Sequence, residues 1–275
     1  MQYDPIKRGL GDFFNRSPLS RKVFYRLLDI LLLRTWHVKR AIKTWEKNIP
    51  GKTEILDAGS GFGQYSYFLA HNKPYRTILG VDVKTEQIED CNKFFRKTGL
   101  TNATFEFADL TQFVKENYFD LILSVDVMEH IEEDVLVFEN FHKSLKPGGM
   151  LLVSTPSDQG GSDVHEHHEH YENDGTASFI DEHVRDGYNI DEIREKLKKA
   201  GFGKTEASFT YGTPGNISWK ISMKYPILML NTSKVFYLVL PFYYLLTYWV
   251  ALILNFLDVR LKHKTGTGLI VKAWK

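Results

Sequence analysis

Glu54-Ile55-Leu56-Asp57-Ala58-Gly59-Ser60-Gly61-Phe62-Gly63-Gln64 is the stretch whose reading decides the fold. Apolar strand formers run into an acid, and three glycines follow at alternate positions before a stretch of helical spacing. Alternate glycines let a backbone turn tightly and approach a ligand closely. Outward from this stretch the same grammar repeats. Strands are expected at 54–59, 76–82, 103–109, 119–126 and 149–156, with helices at 63–71, 84–99 and 131–146 between them. Lys146-Pro147-Gly148-Gly149 stops the last of these helices. Such alternation builds βαβ units and a parallel sheet covered on both faces. A helix at 190–200 and strands at 204–211 and 267–274 complete the pattern, and residues 157–186 read as polar loop.

In sheets of this kind ligands sit beyond the C-terminal strand ends, where the strand order reverses. Two further strands also end in acids, Asp82 and Asp109. A carboxylate at Asp82 can accept from both hydroxyls of a ribose, and one at Asp109 from an adenine amino group. The third glycine of a dinucleotide fingerprint is replaced by Gln64, which argues against NAD. Asp57 with Gly59, Gly61 and Gly63 instead resembles the first motif of class I S-adenosylmethionine (SAM) methyltransferases. The resemblance continues through ILGVD (78–82), FADL (107–110), FDLILSVDVMEHI (119–131) and LKPGGMLLVSTP (145–156). It covers residues 36–211 and the final strand, and the family includes ubiquinone-biosynthesis O-methyltransferases.

The resemblance implies a Rossmann-like, doubly wound, mostly parallel α/β sheet whose last strand is antiparallel. It places the glycines against the methionine moiety of SAM, Asp82 with Val83 at the ribose, and Asp109 with Leu110 at the adenine. Ser124 to Asp126 are expected beside the methionine and its methyl group. Trp36-His37-Val38-Lys39-Arg40 resembles the helix that lids SAM in this family.

Amino-methylating DNA enzymes carry a proline-rich motif after the fourth strand, where this chain has Asp126-Val127-Met128-Glu129-His130. That leaves O-, C- or carboxyl methylation, with His130 as the base because its ordinary pKa lies near neutrality. Asp126-x-x-Glu129-His130 is also similar to the Glu-x-x-Glu-His divalent-metal motif of ubiquinone-biosynthesis and small-RNA methyltransferases. It departs from that motif at Asp126. A metal on Asp126, Glu129, His130 and the downstream His183 is therefore the minor expectation, beside a purely protonic role for His130 and Glu129. His183 ends a histidine-rich tract within VHEHHEHYENDGTASFIDEHVRDGY (164–188), which otherwise reads as a polar lid.

The net charge of +1 hides an asymmetry. Residues 1–50 hold eleven Lys and Arg against four Asp and Glu, and residues 215–275 hold eight against one. The middle, 51–214, carries a net of −13. Basic ends rich in leucine and aromatics suit an anionic membrane surface. The acidic centre disfavours nucleic acid. Cys91 is the single cysteine, which fits a reducing compartment. The start, MQYDPIKRGLGDFF, has no export signal, so a cytoplasmic location is expected.

One run remains: VFYLVLPFYYLLTYWVALILNFL, Val235 to Leu257, without a formal charge. As a helix it would be about 35 Å long, enough to cross a bilayer. The strands at 204–211 and 267–274 bracket it, and in the resembling family they pair, so a single crossing would tear the sheet. The expectation is a helical hairpin bent near Asn231-Thr232-Ser233 and lying in one leaflet, with Pro241 interrupting its second arm. A subunit interface, hence a homodimer, is the main alternative.

The chain thus reads as basic amphipathic helices at 1–50, a SAM-binding core at 51–214, a hydrophobic insert at 215–265 and a last core strand at 266–275. The expected activity is O-methylation of a hydrophobic, lipid or lipid-linked small molecule by a protein monotopic on the cytoplasmic face of a membrane. A non-catalytic SAM-fold assembly protein and a metal-dependent small-RNA 2′-O-methyltransferase are the alternatives.

Overall fold

The computed structural model describes residues 17–47, 49, 51–160, 184–233 and 235–275. Seven strands form one sheet in the order β3-β2-β1-β4-β5-β7-β6. They are β1 (Thr53–Ala58), β2 (Arg76–Asp82), β3 (Ala103–Phe107), β4 (Phe119–Val125), β5 (Leu145–Pro156), β6 (Lys204–Thr210) and β7 (Gly268–Trp274). β1 pairs in parallel with both β2 and β4, so the order reverses between β1 and β4. β7 lies antiparallel between β5 and β6.

Helices cover both faces, which is why β1, β2 and β4 are near-continuous apolar runs. One face packs Leu56, Ile122, Leu151 and Val153 against α5 (Asp134–Ser144) and α6 (Ile190–Lys199). The other packs Ile55, Ile78, Leu121 and Leu152 against α2 (Leu33–Glu46) and α4 (Thr85–Thr98). Between the sheet's first two strands, α3 (Gln64–Ala70) follows the glycine loop. β5 begins four residues earlier than expected, because Leu145 already pairs with Phe119 before the register shifts.

Ahead of the sheet, α1 (Pro18–Leu31) is capped by the Ser17 hydroxyl and separated from α2 by an extended Leu32. Its amphipathicity is inverted. Arg21 and Tyr25 are buried, while Leu19, Val23, Leu27 and Ile30 face outward.

Between β6 and β7 the chain forms a helical hairpin. The first arm is α7 (Thr213–Trp219), a π-helical turn (Lys220–Lys224) and α8 (Tyr225–Thr232). Ser233 is extended and breaks the arm, as expected from Asn231-Thr232-Ser233. The second arm, α9 (Phe236–Arg260), is one helix of 25 residues. Pro241 sits inside α9 without interrupting it, contrary to expectation. It lies in the second turn, on the exposed side of the helix, where no packed neighbour among the described residues constrains the turn that loses a ladder bond.

Candidate active site

The glycine loop is the floor of the site. Gly59, Gly61 and Gly63 all have positive φ, at 77°, 50° and 73°. At Gly59 an added Cβ would lie 2.2 Å from a Val127 methyl, so only glycine lets the loop pass the end of β4. The Gly59 and Ser60 amides both donate to the Val81 carbonyl, tying the loop to β2. From above, Arg21 and Tyr25 on α1 donate to the Phe62 carbonyl. Asp57 lies beneath, fully enclosed, and accepts from the Ser66 hydroxyl at 2.6 Å. Burial pushes its carboxyl up to about 6; the Ser66 bonds pull the other way and the neighbouring Asp82 charge adds to the rise.

Asp82 is half-buried at the end of β2. One carboxylate oxygen accepts from the Gly61 amide at 2.9 Å and the other from the Lys84 amide at 2.9 Å. Each oxygen keeps a lone pair for a ligand, and the two amides fix their direction. Val83 beside it is exposed. Asp109, also exposed, is held by the Thr111 amide and hydroxyl at 2.9 and 2.8 Å, and Leu110 is buried. Among the described residues the buried hydroxyls of Ser60 and Ser124 have no hydrogen-bond partner. Native interiors rarely leave such groups unpaired, so a polar ligand over the loop fits them.

At the end of β4 the backbone of Asp126 is left-handed, with φ 50°, and its carboxylate forms an ion pair with Arg34. Glu129 and His130 follow on a 3-10 turn (Met128–His130). Glu129 is buried and accepts from the Thr155 hydroxyl at 3.1 Å. Burial raises its pKa, against the pull of its backbone bond, of His130, of Thr155 and of Arg34. His130 is half-buried beside it. Asp126, Glu129 and His130 are adjacent in chain but do not converge. Asp126 turns to Arg34 and Glu129 to Thr155, and the described residues contain no group of three or more His, Cys, Asp or Glu that could hold a metal. His183 and the histidine tract lie outside the described residues.

The structure adds residues that sequence reasoning did not single out. The Arg34 amide, in the first turn of α2, donates to the Tyr211 hydroxyl at 3.0 Å. Arg34 also lies near the Tyr65 phenol, whose pKa burial raises and Arg34 lowers. Its buried Nε has no partner among the described residues. Arg34, Tyr65 and Tyr211 thus form a polar wall opposite Asp126 and Glu129. Tyr211 follows β6 directly in a left-handed conformation, φ 54°.

A second unheralded group fixes the hairpin to this wall. Asp258 on α9 is fully buried and accepts from the Tyr211 amide at 3.2 Å and the Gly215 amide at 2.9 Å. His37 on α2 lies 2.8 Å from one of its oxygens and His263 3.2 Å from the other. At Gly215 an added Cβ would sit 2.6 Å from the Asp258 carboxylate, so the position admits only glycine.

A parallel sheet reversing between β1 and β4, a glycine loop there and acids closing β2 and β3 define the class I SAM-methyltransferase fold. The model of the methyltransferase domain matches residues 50–201, and the chain belongs to that family. The phosphoethanolamine N-methyltransferase of Triticum aestivum is 30% identical over 156 residues, which are 56% of this chain and 28% of that protein. The ubiquinone biosynthesis O-methyltransferase of Actinobacillus pleuropneumoniae is 28% identical over 37% of this chain and 45% of that protein. The matched part is thus less than half of either relative's length. In structure, phosphoethanolamine N-methyltransferase 2 of Haemonchus contortus, complexed with S-adenosylhomocysteine, superimposes with TM-score 0.59 at 20% identity. That match covers 87% of this chain and 52% of the other, and it bears on the fold.

Proposed function

We propose that this protein transfers a methyl group from SAM to a hydroxyl of a hydrophobic or membrane-borne small molecule at a membrane surface. Bound SAM supplies an activated methyl group. The chain's part is to orient it: Asp82 with Val83 at the ribose, Asp109 with Leu110 at the adenine, and Asp57, the three glycines and Ser124 to Asp126 around the methionine end. Arg34 suits the methionine carboxylate, and His130, with Glu129 behind it, takes the proton of the acceptor. The observation that carries the cofactor assignment is the Asp82 carboxylate, aimed by two backbone amides over an open glycine loop. Asp82→Ala is expected to weaken SAM binding about 10- to 100-fold in calorimetry, the effect of losing hydrogen bonds to a charged group. Unchanged affinity would remove the assignment.

The membrane part rests on α9 being built inside out. Among the described residues it is the one helix long and apolar enough to cross a membrane, and only 6% of its most apolar window is buried. Leu238, Phe242, Leu246 and Trp249 face outward, while Asn255 and Asp258 are buried. Asn255 accepts from the Ser218 hydroxyl, and the Tyr243 and Tyr244 hydroxyls donate to the carbonyls of Ile221 and Ser222. Helices in water are arranged the other way round, whereas small and polar contacts between helices suit a lipid surround. The Tyr248 hydroxyl donates to the Ile30 carbonyl, which ties α9 to the end of α1. The pairing of β6 with β7 supports a hairpin that both leaves and returns on one side of a bilayer. The reading is a monotopic hairpin on the cytoplasmic face, which the free thiol of Cys91 supports. L246D/W249D is expected to abolish flotation with lipid vesicles while leaving SAM affinity intact. Persistent flotation, or a wild-type dimer that the variant splits without any vesicle binding, would replace lipid with a second subunit.

A further inference from the structure

Beside the C-terminal end of α9, an open groove of about 610 Å³ runs along the outer face of α2. We propose that it is a binding site for the phosphate of an anionic lipid headgroup, which rests on the membrane-docking reading above. Its cations are Lys39, Arg40, Lys43 and Lys47, and its one carboxylate is Asp29. Lys39 consumes that carboxylate in an ion pair. The remaining positive line, Arg40, Lys43 and Lys47, repeats at helical spacing, and like charges so placed cost helix stability unless an anion lies among them. Glu46, on the same helix, does not serve. It is engaged by Lys73, Tyr75 and Arg76. Among the described residues no carboxylate pairs with Lys43 or Lys47.

The groove is preformed. The opposite face of α2 is locked into the sheet by Val38, Ala41, Ile42 and Trp45, all buried. Trp36 stands at one end of the groove with its indole N–H donating to the Ile30 carbonyl at 3.3 Å. One turn along α2 from Trp36, the Arg40 guanidinium donates to the carbonyl of Val259, the penultimate residue of α9. The exposed apolar residues of α9, from Phe242 to Leu257, therefore run down to this groove. Arg260 lies over the Phe256 ring at 4.0 Å, and Lys262 and Lys264 follow in exposed positions. Cations collected at one end of an apolar face, with an indole among them, match the depth at which headgroup phosphates lie above acyl chains. The charge complement is a phosphate, and the adjoining apolar helix selects its lipid source.

The test is flotation of the full chain with vesicles of phosphatidylcholine alone and with added phosphatidylglycerol, for wild type, K43E/K47E and the remote control K198E/K199E on α6. Wild type and the control should bind phosphatidylglycerol vesicles more tightly than neutral ones. K43E/K47E should lose that preference, binding anionic vesicles at least about 30-fold more weakly at unchanged melting temperature, from roughly a fivefold effect per cation near the surface. Retained binding by K43E/K47E on both vesicles would overturn the groove while leaving docking intact. Failure of wild type to float on either would overturn both. Inorganic phosphate that bound wild type but not K43E/K47E, with no lipid preference, would assign the groove to a soluble anion. Loss of binding to an RNA oligonucleotide alone would assign it to nucleic acid; either result overturns the lipid assignment.

Discussion

Asp258→Ala is expected to lower the stability of the protein by about 3–5 kcal/mol, the cost of breaking a buried charged network by removing one partner. The carboxylate joins four separate pieces of the chain: His37 on α2, Tyr211 after β6, Gly215 on α7 and His263 after α9. Without it two buried amides lose their acceptor and two imidazoles their counter-group. Burial alone would raise the Asp258 pKa. The His37 bond, the charges of His37 and His263 and the Gly215 amide outweigh it and hold the pKa below the ordinary carboxylate value. The sign follows from linkage. A depressed folded pKa gives stability that is present above the unfolded value near 4 and is lost as pH falls through the folded one. Urea denaturation should therefore separate wild type from Asp258→Ala at pH 7 and bring the two together in strong acid. A loss under about 1 kcal/mol at pH 7 would show that the network is not what seats the hairpin.

His130→Ala is expected to lower kcat by about 10²- to 10⁴-fold, the range for losing a general base, with little change in SAM affinity. His130 closes the turn after β4, the strand end nearest the reversal of the sheet, with the buried Glu129 next to it in the same turn. A hydroxyl acceptor needs its proton removed at about the moment of transfer, and an amine that arrives unprotonated does not. A loss of less than about tenfold would therefore favour an amine acceptor. The N-methyltransferase relatives make that the second reading.

The parts legible in the sequence are those set by local chemistry. Short apolar runs, helix stops such as Pro147-Gly148-Gly149 and the acids at or just beside the ends of β1, β2 and β3 all depend on a few neighbouring residues, and the sheet appears with them near its strand ends. The return of the hairpin to one side was legible because the strands on either side of it were. Direction of burial was not. Arg21 is inside and Leu27 outside on α1, because a buried ion pair with Asp90 and a bond to the Phe62 carbonyl outweigh the hydropathy of the stripe. The wall of Arg34, Tyr65 and Tyr211 is assembled from three distant elements, which no spacing rule foretells. Asp258 did leave a trace. It is the one acid in residues 215–275, against eight cations, and a lone acid closing an apolar run has a buried reason to be there.

The central claim, methyl transfer from SAM to a membrane-borne small molecule, is tested most directly by incubating the protein with methyl-labelled SAM and a membrane extract. The predicted result is label in a solvent-extractable small molecule, lost with Asp82→Ala. SAM bound with ordinary affinity but no label in that fraction, or label confined to RNA or protein, would contradict it.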